Sequence, residues 1–261
     1  MTASISLALT ADLRYVLRIA DTCLVHAQRL AEWCGHAPVL EEDIALANLG
    51  LDLLGQARAL LSHAARLEGG GHDEDALAFL RDERDYFNLT LVELPLRRGG
   101  GDFADTQLRC FFIAAWLLPL WQGLANSRDR ELAAIAGKAA KEIRYHLQHA
   151  ADWVVRLGDG NEESMRRMRA AMERAAPYVA ELFDDDAVDT AAAESGLGPR
   201  ASALRAPWFA AIRPVLADAK LALPDDTPFR SHGKRGTHSE HMGYLLAEMQ
   251  HLQRAFPGAV W

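Results

Sequence analysis

The chain has 261 residues, half of them apolar, and a formal net charge of −8. That length supports one large domain or two small ones with a sizeable core. The acidic balance, with a pI near 5.7, argues against nucleic acid or an anionic membrane as principal partner; an anionic small molecule would need a local basic patch.

Taken in chain order, the elements are helical almost throughout, and alternating β-branched runs are nearly absent. Residues 1–13 carry Asp12 and lack a basic start leading into an apolar run, so no signal peptide is expected. A first helix is predicted over about 11–34, ending near Gly35 and Pro38. A second covers about 40–67 and stops at three glycines, 69–71. A third covers about 74–92, before Pro95 and the Gly99-Gly100-Gly101 loop. Asp102 is the expected N-cap of a fourth, about 103–125. The most apolar run, 111–120, is too short to span a bilayer and contains Pro119. A fifth helix is expected over about 129–157, a sixth over 161–183 behind Asn161, and shorter ones over 186–194 and 202–222. The last, about 238–255, opens with Thr237 and Glu240 in capping-box spacing. The first, second, fourth and fifth are long and occur as two pairs, the arrangement of a four-helix bundle with one longer crossover in a single all-α domain spanning 1–261. Cys23, Cys34 and Cys110 form no C-x-x-C pair, and the odd count suits buried thiols in a reducing cytoplasm.

The fifth helix holds the most telling pattern. Leu132, Ala136, Ala139, Ile143, His146, Ala150, Trp153 and Leu157 recur in steps of four and three, a core-facing seam. A di-iron carboxylate helix places Glu and His at i and i+3 on such a seam. Here the Glu position holds Ile143 and the His position His146. On the second helix Asp52 is followed at i+3 by Gly55, so a second histidine is missing as well. That helix is apolar nearly all round and is expected at the centre of the domain. Asp52, flanked by leucines, then needs a partner on a neighbouring helix, since a buried bare carboxylate is costly. Glu142 and His149 flank the seam, where ion-paired edge residues are expected rather than ligands. Glu248 and His251 match E-x-x-H, but near the chain end and with no second copy. The glycine-flanked Lys234 and Arg235, ahead of a helix, suit either an anion or an acidic partner.

Four separated blocks carry a resemblance: 51–58 (LDLLGQAR), 32–38 (EWCGHAP), 141–146 (KEIRYH) and 233–241 (GKRGTHSEH). Together they resemble the C-subunit family of phenylacetyl-CoA epoxidases, the ring 1,2-epoxidases of bacterial phenylacetate degradation. The resemblance runs from about Leu13 to Trp261. It implies a ferritin-like fold and a structural, non-catalytic subunit of a multicomponent oxygenase, with no metal or other cofactor of its own. It further implies a heterodimer, and higher oligomer, with a catalytic A subunit that holds the di-iron centre. A small B subunit and a reductase with flavin and iron–sulfur centres complete the complex. Asp52, Gly55, Ile143 and His146 are then positions of a degenerate metal site. The alternative is a stand-alone ferritin-like metalloenzyme built on Asp52, Glu142 and His146.

Overall fold

A computed structural model describes residues 4–96, 101–223 and 228–259; Gly99 and Gly100 of the expected glycine loop lie outside them. Ten α-helices appear among the described residues: α1 (Ala11–Ala31), α2 (Leu40–Glu68), α3 (Glu74–Phe79), α4 (Phe103–Leu124), α5 (Arg130–Gly158), α6 (Glu162–Ala175), α7 (Ala187–Ser195), α8 (Arg205–Asp218), α9 (Glu240–Met249) and α10 (His251–Ala255). Three of the four long helices begin on acidic or polar caps, which satisfy first-turn amides left open by helix geometry. Thr10 accepts from Leu13 N, Asp129 from Glu131 N and Leu132 N, and Asp102 forms a reciprocal capping box with Asp105. Helix α2 ends on Gly69 in the left-handed region, at φ 70°, a backbone state that costs glycine little.

Helices α1, α2, α4 and α5 form the expected bundle, with α1 packed on α2, α4 on α5, and α2 on α5. On the far side of α1 and α4 lie α6, α7, α8 and the segment 83–93. About three quarters of the residues of α1 and of α4 are therefore buried. This corrects the expectation for the second helix. The central elements are α1 and α4, while α2 and α5 are the outer pair. Leu40, Ile44, Leu51 and Leu54 of α2 are 70, 53, 64 and 45% exposed. At 100° per residue these four share one stripe. By length and composition α2 is apolar enough to cross a membrane, with 44% of its most apolar window buried. In this fold its Asp52, Gln56 and His63 reach partners on α5.

The predicted third helix is the largest departure. Only residues 74–79 are α-helical; short 3-10 turns at 83–85 and 90–93 are joined by extended chain. The cause is tertiary. The guanidinium of Arg81 is fully buried; it bonds Asp21 on α1 and donates to the carbonyl of Asp85 at 2.7 Å. The amides that a helix would have used donate instead to α1 side chains, Phe87 N to Asp21 at 2.9 Å and Leu89 N to Thr22 at 3.2 Å. The sixth predicted helix ends at Ala175, because Pro177 removes a donor, and the chain continues as 3-10 turns. The 202–222 segment divides into a 3-10 turn at 201–204 and α8. The last helix starts behind Ser239, not Thr237, and breaks at Gln250. Thr237 pairs instead with His232 in an isolated antiparallel bridge.

Candidate functional site

The seam read on α5 is the inner face of the bundle: Leu132, Ala136, Ala139, Ile143, His146 and Ala150 are buried, and Trp153 and Leu157 half-buried. All four long helices line one void there, with His26 and Leu30 from α1, Leu49 and Leu53 from α2, Cys110 and Ile113 from α4, and Ile143 and His146 from α5. Its volume is about 10 Å3, room for one water at most. Ile143 is fully buried within it.

The polar groups at this centre are uncharged. Burial, reinforced by Arg109 and His146, depresses the pKa of His26 to about 3, and its Nδ1 has no hydrogen-bond partner. Burial pushes the Cys110 thiol up to about 12. Burial also lowers His146, against the pull of Asp52. His146 Nε2 lies 3.0 Å from Asp52 Oδ2. Asp52 thus has the cross-helix partner its position demanded, but the expected depth is corrected: its side chain is 43% exposed. Asp52 sits on the outer side of His146 and brings no carboxylate to the void.

This donor set does not fit a di-iron pair, which takes four carboxylates and two histidines projecting inward from four helices. The centre offers two histidines, a protonated thiol and an isoleucine, and Gly55 is exposed on α2. Among the described residues no group of three or more His, Cys, Asp or Glu is placed to hold a metal ion. Sequence periodicity did not single out His26; its signal was a polar residue on the α1 seam one turn after Cys23.

Around the centre the outer groove between α2 and α5 is a ladder of polar pairs. Gln56 donates to Glu142 at 3.0 Å, His149 lies 3.2 Å from Glu42, and His63 sits between Asp129 (2.8 Å) and Glu131 (3.2 Å). Glu142 and His149 are ion-paired or hydrogen-bonded edge residues, as expected. Glu248 and His251 are exposed and separated by the α9–α10 break, so this E-x-x-H pair faces away from the bundle centre.

The Lys234–Arg235 loop is an internal clasp, which corrects the expectation of cations presented to an anion. Lys234 is buried, its ammonium meeting the Asp184 carbonyl and, at 3.4 Å, Asp189. Arg235 meets Asp184 at 2.7 Å and Asp186 at 3.5 Å. Backbone approach is close: a Cβ on Gly233 would lie 2.5 Å from the Asn88 carbonyl, and Gly236 holds φ +83° against Arg84. Next to the loop, His238 Nδ1 stands 2.6 Å from Glu93, both side chains fully buried. Burial opposes a charge on His238, but Glu93's hydrogen bond and charge outweigh it and raise the pKa.

The sequence profile of the phenylacetic acid catabolic protein family matches residues 2–261. The chain belongs to that family. A curated relative, the C subunit of 1,2-phenylacetyl-CoA epoxidase from Escherichia coli (strain K12), is 52% identical over 247 residues, covering 95% of this chain and 98% of that protein. The family match takes in the α1 seam, the bundle centre and the clasp.

Proposed function

We propose that this chain is the C subunit of a 1,2-phenylacetyl-CoA epoxidase, a non-catalytic companion of a di-iron A subunit that acts in the cytoplasm with a B subunit and a flavin and iron–sulfur reductase. The observation that carries the reading is Ile143, fully buried at the point where a ligating glutamate would project, beside a void too small for a metal pair. The chain's residues contribute shape. A catalytic bundle must hold carboxylates in its middle; a partner with an aliphatic middle keeps the same outline without that desolvation.

The docking face is the outer surface of α2 and α5. Leu40, Ile44, Leu51 and Leu54 form its apolar stripe, Tyr145 of α5 is 60% exposed, and the polar ladder holds the two helices in register. Obligate subunit interfaces typically bury about 2,000 Å2 or more and resemble a cut core. Helices α1 and α4 are largely enclosed by the chain itself.

Co-expression with the A subunit, followed by size-exclusion chromatography and metal analysis, tests this reading. The expected result is a stable complex, with iron confined to the A subunit. The double variant L51D/L54D is expected to keep its helical circular dichroism and lose the complex, because both side chains are exposed in the free chain. About two irons per copy of this chain, or a complex indifferent to L51D/L54D, overturns the corresponding half of the proposal.

A further inference from the structure

A second cavity lies away from the bundle centre, between α4, α6 and the 91–95 segment. Its volume is about 330 Å3, and Leu91, Leu94, Arg109, Ala171, Arg174 and Tyr178 are among its walls. That is near the lower end of the range for small-molecule sites, roughly 300–1,000 Å3. Arg109 is the unusual wall. It is only 3% exposed, and its Nε and Nη1 have no hydrogen-bond partner among the described residues. A guanidinium carries five donors and stays charged, so leaving its nitrogens buried and unbonded is costly.

The nearest acid does not relieve it. Asp105, one turn earlier on α4, is held by Arg174, which donates from Nε at 2.7 Å and Nη2 at 2.8 Å. Asp105 Oδ2 also accepts the amide of Asp102 at 2.8 Å as part of the α4 capping box. Burial and the neighbouring Arg29 lower the pKa of Arg109 to about 10, which leaves it charged at neutral pH. Among the described residues that line the cavity, Arg109 is therefore the guanidinium without a paired acid. Arg174 is half-exposed and neutralised by Asp105. The remaining described walls are Leu91, Leu94, Pro95, Gly101, Ala171, Ala175, the ring of Tyr178 and His241, apolar apart from the imidazole and the Tyr178 hydroxyl.

We propose that this cavity binds a small organic monocarboxylate with an apolar body, its carboxylate on Arg109 and its body against Leu91, Leu94, Ala171, Ala175 and Tyr178. A monoanion matches the single unpaired guanidinium among the described wall residues, Asp105 and Arg174 being engaged with each other. Guanidinium–carboxylate bonds are charge-assisted and about twice as strong as neutral ones. The apolar walls select against inorganic anions. This inference does not depend on the proposed subunit role.

Isothermal titration calorimetry on the full chain tests it, with benzoate and phenylacetate as probes, benzamide as the neutral isostere and inorganic phosphate as the compact anion. The aryl carboxylates are expected to bind with Kd on the order of 1 mM or tighter, and benzamide and phosphate at least about tenfold more weakly. R109M removes the charge but keeps length and apolar volume. It is expected to weaken the carboxylates about tenfold or more while the thermal midpoint stays equal or rises, since an unbonded buried cation has gone. A175F, which fills the apolar end and leaves Arg109 in place, is expected to weaken them as well. No carboxylate binding at about tenfold above that Kd, equal binding by R109M, or phosphate binding as tightly as benzoate overturns the proposal.

Discussion

The centre of the bundle and the clasp around Glu93 and Lys234 both bury ionisable side chains, and they treat them in opposite ways. At the centre, His26, Cys110 and His146 have few partners and are held neutral by desolvation. In the clasp the ionisable groups are saturated with partners. Glu93 accepts from Asn88 at 2.8 Å, from the Ser239 amide at 2.7 Å and pairs with His238. Glu181 accepts from Thr90 N, Ser231 and Lys234 N at 3.0, 2.7 and 3.0 Å. A buried carboxylate needs several donors, and a buried imidazole or thiol without partners is held neutral. The middle of this bundle has shed the charges that a metal would have demanded. The clasp joins distant segments through those hydrogen bonds.

The largest effect is expected from emptying the clasp. E93A leaves His238, Asn88 and the Ser239 amide facing a hole, and breaking one side of a buried pair costs about 3–5 kcal/mol. Urea unfolding followed by circular dichroism should show that loss; a cost below about 1 kcal/mol would mean the clasp is dispensable. Next in size is the opposite operation, adding charge to the centre. I143E places a carboxyl in a void of about 10 Å3 with no partner of opposite charge. It is expected to cost roughly 2–4 kcal/mol and to recruit no iron, since a single carboxylate does not complete the set. An I143E protein that is as stable as the parent would refute the dry centre.

The histidines sharpen the same contrast through pH. The folded pKa of His26, about 3, lies below its unfolded value. Its contribution is complete above about pH 6.5 and is lost as pH falls toward 3, because the unfolded chain takes up a proton that the fold refuses. For His238 the folded pKa is raised. Its contribution is complete below about pH 6.5 and is lost as pH climbs through the raised value. Each slope is limited to one proton, about 1.4 kcal/mol per pH unit. H26L should flatten the acid side of a stability–pH curve and H238Q the alkaline side; the reverse assignment would sink both. The smallest effect concerns Gln107, one turn before Cys110 on the same α4 seam. It is fully buried, and neither amide atom has a hydrogen-bond partner. Q107M removes that unmet demand and should stabilise the fold by about 1 kcal/mol, read as a rise in thermal midpoint.

What the sequence made legible was local. The seam of α5 was readable because helical periodicity alone decides which residues share a face, and six of its positions are buried as spaced. Asp102 and Asn161 were readable because a cap acts on amides within three residues. The 83–93 segment was illegible for the converse reason: its backbone donors are claimed by Asp21 and Thr22, more than sixty residues away. The position of α2 misled because leucines all round a helix look alike whether they meet a core or a partner. Asp52 shared that error, and its 43% exposure follows from α2 lying outside. The Lys234 loop misled because basic residues between glycines read as an offered surface, while the acids that absorb them, Asp184, Asp186 and Asp189, arrive from a different stretch.

His238 meets Glu93 across 145 residues of chain, and this separation sets an order of events during synthesis. When the ribosome has delivered α1 through α8, the wall built from 83–93 is already in place, yet Glu93 and Glu181 still lack the donors of 231–239. The nascent chain can stack its bundle early but cannot seal that wall until its closing stretch has emerged. Until then Glu93 can count on Asn88 and Glu181 on the Thr90 amide, and on nothing from the closing stretch.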